Sequence, residues 1–108
     1  MSVPRDRAEH VIDMLGPVIG LEIGRFFGGW SLLVLGTQIG MVMDTVYAKV
    51  PAGSRDAWRD RGHHPFSDAR ADGRVIVVDA YWALPDSILD DAEALRAVLL
   101  DGEVPPPQ

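Results

Sequence analysis

The chain has 108 residues and a mass of 11.8 kDa, room for one hydrophobic core and no more. Hydrophobic residues make up 47% and charged residues 24%, which excludes a disordered chain. The absence of cysteine excludes a disulfide framework, a thiolate zinc site, an iron–sulfur cluster and a cysteine nucleophile.

Ten basic residues stand against sixteen acidic ones, a net charge of −6. Residues 1–74 balance nine against nine, so the whole excess lies in residues 75–108. Such a chain is repelled by nucleic acid at long range, and no direct nucleic-acid partner is expected. Arg55, Arg59, Arg61, Arg70 and Arg74 are interleaved with Asp56, Asp60, Asp68 and Asp72 and read as a solvated mixed-sign surface. Met1–His10 carries four charges and no apolar core follows, so no signal peptide is expected and the expected address is the cytoplasm. Phe26–Met43 is uncharged over 18 residues, the lower limit for a membrane span. Its glycines and polar residues break it into short pieces, and two strands are expected there instead.

In chain order, Ala8, Val11, Ile12 and Leu15 make one stripe of a helix over residues 5–15, ended by Gly16-Pro17. Residues 18–27 are apolar but interrupted by Gly20 and Gly24, and read as extended and partly irregular. Strands are predicted over 29–35, 38–44 and 46–50, with Ile39, Met41 and Met43 alternating onto one face. Ser54 is a predicted N-cap for a short helix over 55–61. Residues 65–70 form a weak strand, and Asp72-Gly73 turns the chain into a strong strand over 74–83. Val75–Val78 is apolar on both faces, which places that strand centrally. Asp90 or Asp91 caps a last helix through about residue 100, and Asp101-Gly102 closes it. The pattern is α-βββ-α-ββ-α: a single two-layer α+β domain over residues 1–103, its antiparallel sheet covered by helices on one face. Residues 104–108 are expected to be a disordered proline-rich tail.

Little in the chain points to catalysis. Gly28 and Gly29 offer a backbone turn without the spacing of a P-loop or a dinucleotide fingerprint. His63, His64 and Asp68 are the one cluster of metal-ligating types, and a loop of solvated histidines explains it. The expectation is a protein with no cofactor and no metal that is not an enzyme; a metal or small-ligand enzyme using the 63–68 loop is the alternative. Three helices leave one side of a five-stranded sheet open. Tyr47, Lys49, Asp79 and Tyr81 are expected to share that side as a partner surface, since aromatic and charged residues on an open sheet suit an interface.

Four strings in order carry a family resemblance. They are Arg25-Phe26-Phe27-Gly28-Gly29, Val46-Tyr47-Ala48-Lys49-Val50, Gly62-His63-His64-Pro65-Phe66, and Tyr81-Trp82-Ala83-Leu84-Pro85-Asp86 with Leu89-Asp90-Asp91 and Leu95 behind it. Together they resemble the N-terminal domain of the TfoX/Sxy family over roughly residues 5–100. The resemblance implies a regulatory module of the competence type, a coregulator that reaches a transcription factor through protein contacts. It also implies a fold similar to small secretion-chaperone-like domains, many of them homodimers, and an N-terminal domain standing alone. Asp68 stands where a tyrosine commonly follows Pro-Phe, so no role of that tyrosine carries over.

Overall fold

The computed structural model describes residues 3–26 and 28–107. Phe27, within the first of the four strings, and Gln108, in the proline-rich tail, lie outside the described residues. Helix α1 runs Val3–Leu15 and buries Ala8, Val11 and Leu15, while Glu9, His10 and Asp13 face water. It ends at Gly16, whose φ of +71° no side-chain-bearing residue adopts cheaply and whose amide bonds back to the Ile12 and Asp13 carbonyls.

Four strands then form a meander: β1 (Leu21–Phe26), β2 (Gly29–Val34), β3 (Thr37–Val42) and β4 (Val46–Lys49). After a single 3-10 turn at Ala52–Ser54 come α2 (Arg55–Asp60), β5 (Pro65–Ala69), β6 (Val75–Ala83), α3 (Asp86–Leu89) and α4 (Ala92–Leu99). The six strands make one antiparallel sheet in the order β1-β2-β3-β4-β6-β5. This is the expected α+β class with one strand more than expected. Residues 18–27 read as extended and partly irregular because of Gly20 and Gly24, yet Leu21–Phe26 is a continuous strand in which Gly24 sits in register opposite Ser31.

Leu32, Gly40, Ala48 and Trp82 are successive register partners across four strands and mark the helix-covered face. There Leu32, Val42, Val46 and Trp82 meet Ala8 and Leu15 of α1, Trp58 of α2, Ile88 of α3, and Leu95 and Leu99 of α4. Burying one such leucine contributes about 1.5–3 kcal/mol. Gly40 lets α4 come close: a Cβ there would lie 3.4 Å from Leu99 and 2.6 Å from the Tyr47 carbonyl. The Arg96 guanidinium reaches the Leu15 carbonyl and ties α4 to α1. Asp91 caps α4, its carboxylate accepting from the Ala94 amide at 3.1 Å. Ser54 stands before α2 but makes no side-chain cap, because the 3-10 turn already runs into the helix.

Two bulges decide which side chains reach the other face. In β3, Leu32 pairs with Gly40 but Leu33 pairs with Gln38, so Ile39 is an inserted residue. Ile39 packs on the core while Met41 and Met43 face away from it; strict alternation had put all three together. In β6, Trp82 pairs with Pro65 but Val78 pairs with Phe66, and residues 79–81 bulge between. The Trp82 indole N–H closes the bulge on the Asp79 carbonyl at 2.7 Å. Beyond it Val75–Val78 pair with β5 alone, as a two-stranded arm. The run expected to be covered on both faces therefore leaves Val75 63% and Val77 57% exposed.

The tail does not fray over residues 104–107. Gly102 turns at φ +73°, the Glu103 amide bonds to the Ala97 carbonyl, Val104 packs on the core and Pro105 is fully buried.

Candidate functional site

The side of the sheet turned away from the helices is concave. Phe26 from β1, Met41 and Met43 from β3 and the turn after it, Phe66 from β5, and Ile76, Val78 and Tyr81 from β6 line a cavity of about 560 Å³. Asp68 and Arg70 are its charged members and pair with each other at 3.6 Å. The β6 bulge builds this wall, because it turns Ile76 and Val78 inward alongside Phe66.

Two tyrosines stiffen the floor. Tyr47 is 7% exposed; its hydroxyl donates to the Asp44 carboxylate at 2.7 Å and its ring meets Phe66 edge-on at 5.2 Å. The Tyr81 hydroxyl donates to Gln38 Oε1 at 2.6 Å and its ring lies 6.3 Å from Phe26. The Ile39 bulge makes the Tyr81 bond, since without the inserted residue Gln38 would face the helices. Gln38 Nε2 is buried there with no hydrogen-bond partner among the described residues. Burial raises the Tyr47 pKa above its ordinary value, reinforced by the Asp44 hydrogen bond and then by its charge; burial also raises that of Tyr81. Both phenols are therefore protonated donors at neutral pH.

Of the four residues assigned to a partner surface, Tyr47 and Tyr81 lie on this side. Lys49 pairs with Tyr81 in register and is exposed, outside the cavity lining. Asp79 is elsewhere: it stands in the bulge and pairs with Arg55 of α2 at 3.3 Å. Strict alternation along β6 would group Asp79 with Val75, Val77 and Tyr81, and the bulge breaks that series. Sequence reasoning did not assign Phe26, Phe66, Ile76 or Val78 to the site. Phe66 had a signal, since it closes the Gly-x-x-Pro-Phe string.

Gly28 turns between β1 and β2 at φ +84°, with open space around it. Gly29 serves close packing, because a Cβ there would lie 2.3 Å from both Met43 Sδ and the Val42 carbonyl. The alternative site at residues 63–68 is not brought together. His63 is 3% exposed against Trp58, not solvated as expected. His64 is exposed, and Asp68 is on the arm with Arg70. Among the described residues no group of three or more His, Asp or Glu side chains is placed to hold a metal ion. Among them, too, no helix is long and apolar enough to cross a membrane.

The family model described as the TfoX N-terminal domain matches residues 13–101. The chain belongs to the TfoX N-terminal domain family. No curated protein and no solved structure matches it. In this TfoX N-terminal domain the matched span runs from the end of α1 to just past α4, so it takes in every strand and every cavity-lining residue.

Proposed function

We propose that this TfoX N-terminal domain is a non-enzymatic regulatory module that binds a protein partner in the concave face of its sheet, as a coregulator working through protein contacts. The observation that carries the reading is the lining itself: two methionines, two phenylalanines and a tyrosine around about 560 Å³, with one ion pair. Aromatic residues and methionine are the types enriched in protein interfaces, and methionine adapts to varied apolar partners. The net charge of −6 favours a protein partner over a nucleic acid.

The test is affinity capture from lysate of the host, comparing wild type with Met43→Glu and Tyr81→Ala, each checked for an unchanged circular-dichroism spectrum. A transcription factor or polymerase subunit held by wild type and lost by both variants supports the reading. Equal capture by all three, or capture of the protein's own copies alone, overturns it.

A further inference from the structure

Away from the concave face, residues 104–107 are held in a way that resembles ligand recognition. They carry neither helix nor strand, and three are prolines, which favour an extended polyproline conformation. Three successive carbonyls are met by side-chain nitrogens. Arg61 Nη1 donates to the Val104 carbonyl at 3.1 Å and the Pro105 carbonyl at 3.0 Å, and His63 Nε2 lies 2.9 Å from the Pro106 carbonyl. A carbonyl only accepts, so Nε2 carries the proton.

Two features set this apart from an ordinary docked segment. First, the segment suits the donors by what it lacks. Pro105, Pro106 and Pro107 have no backbone N–H, so the fully buried Pro105 brings no amide hydrogen that must find an acceptor. Any other residue there would. Second, His63 is an expensive choice unless it reads a ligand. The residue is 3% exposed, Nδ1 has no hydrogen-bond partner among the described residues, and the side-chain hydrogen bond it makes among them is to the tail. Trp58 stands edge-on to that ring at 5.5 Å and backs it from the core.

We infer that Arg61 and His63, the latter backed by Trp58, form a recognition site for extended proline-rich segments. The chain's own residues 104–107 occupy it, and a proline-rich segment of a partner protein takes it by exchange. The tail joins α4 through the left-handed Gly102 and is held by the Glu103 amide, the packing of Val104, the burial of Pro105 and these three side-chain bonds but by no strand pairing, so exchange requires it to open as a unit while the sheet stays paired. A tethered occupant competes at an effective concentration on the order of millimolar, so weakening the tail is what exposes the site.

The probe is a synthetic peptide copying residues 103–108, added to the 108-residue Pro105→Ser protein and followed by amide and indole NMR shifts. The expected result is saturable movement of the Gly62 and His63 amides and the Trp58 indole. Wild type should bind at least about tenfold more weakly. A peptide with alanine in place of the three prolines should not bind, and adding His63→Phe to the variant should abolish binding. No shift at millimolar peptide, equal shifts with the alanine peptide, or shifts confined to the concave face would each overturn the proposal. Should Pro105→Ser not fold, wild type carries the test: excess proline peptide must move the Val104 amide to an unstructured position, and failure to do so refutes the exchange.

Discussion

The same substitution at two glycines should act with opposite sign. At Gly29 an added methyl would lie 2.3 Å from the Val42 carbonyl, which must retreat to at least 3.0 Å, a displacement of 0.7 Å. Met43 Sδ, also at 2.3 Å, can swing aside, but the carbonyl belongs to the β3 backbone and moves only by opening the β2–β3 ladder. Overpacking of this kind costs about 1–3 kcal/mol and a weakened ladder bond about 1 kcal/mol. The lower entropy of the unfolded alanine chain returns about 0.4–1 kcal/mol. Gly29→Ala should therefore lose roughly 1.5–3 kcal/mol. At roughly 2.1 cal/mol/K per residue, the unfolding entropy of the chain is about 0.23 kcal/mol/K, and Tm falls by about 7–13 °C. At Gly53 nothing lies within 4 Å of the added methyl, so only the unfolded-state gain remains and Tm rises by about 2–4 °C. Differential scanning calorimetry of both variants decides it. A Gly29→Ala protein within about 2 °C of wild type would show that β3 yields freely and that the close approach is not why glycine stands there.

Other outcomes follow from single contacts. Asp91→Ala removes the α4 cap and should cost about 1 kcal/mol, about 4 °C in Tm, whereas Asp90→Ala should leave Tm unchanged. Leu35 sits at φ +52° in the β2–β3 turn, so Leu35→Asn should raise Tm by about 4 °C on relief of roughly 1 kcal/mol. The chain's two tyrosines both have folded pKa values raised above the ordinary 10.0. The stability they contribute is thus full below about pH 10 and lost as pH climbs toward the folded values. Ultraviolet titration should show phenolate formation displaced above pH 10 in folded protein relative to a normal step in urea, and Tyr47→Phe should flatten the alkaline loss of stability more than Tyr81→Phe. The Arg55–Asp79 pair is solvent-facing, and Asp79→Asn should change stability by less than about 1 kcal/mol in urea unfolding.

What could be read from residue order is what depends on one element at a time. The α1 stripe, the strands β3 and β4, a carboxylate cap at Asp90 or Asp91 and the place of Tyr47 and Tyr81 all follow from local period or capping chemistry. The bulges do not. Ile39 is inserted only relative to β2, and residues 79–81 only relative to β5; a two-residue period carries no information about a partner's register. Each bulge reassigns every side chain beyond it. That is why Ile76 and Val78 were missed and Asp79 was misplaced. Val75–Val78 looked central because apolar runs usually are, but its pairing stops at β5. His63 and the tail failed for a related reason: the prolines mark a break in regular structure, and only the folded chain supplies the donors that hold their carbonyls.

The arm also bears on how the protein behaves in concentrated solution. The Arg70 amide points inward to the Arg74 carbonyl, so strand alternation turns the amides of Ser67 and Ala69 toward solvent. An outer strand with free backbone groups beside exposed valines is a template for strand addition between molecules. Pro65 removes one donor at its start, and the charges of Asp68 and Arg70 guard the rest. Colloidal stability thus rests on a short guarded edge as well as on overall charge. Neutralising those guards, or warming until the arm separates while the meander holds, favours ordered fibrillar assembly over amorphous precipitate.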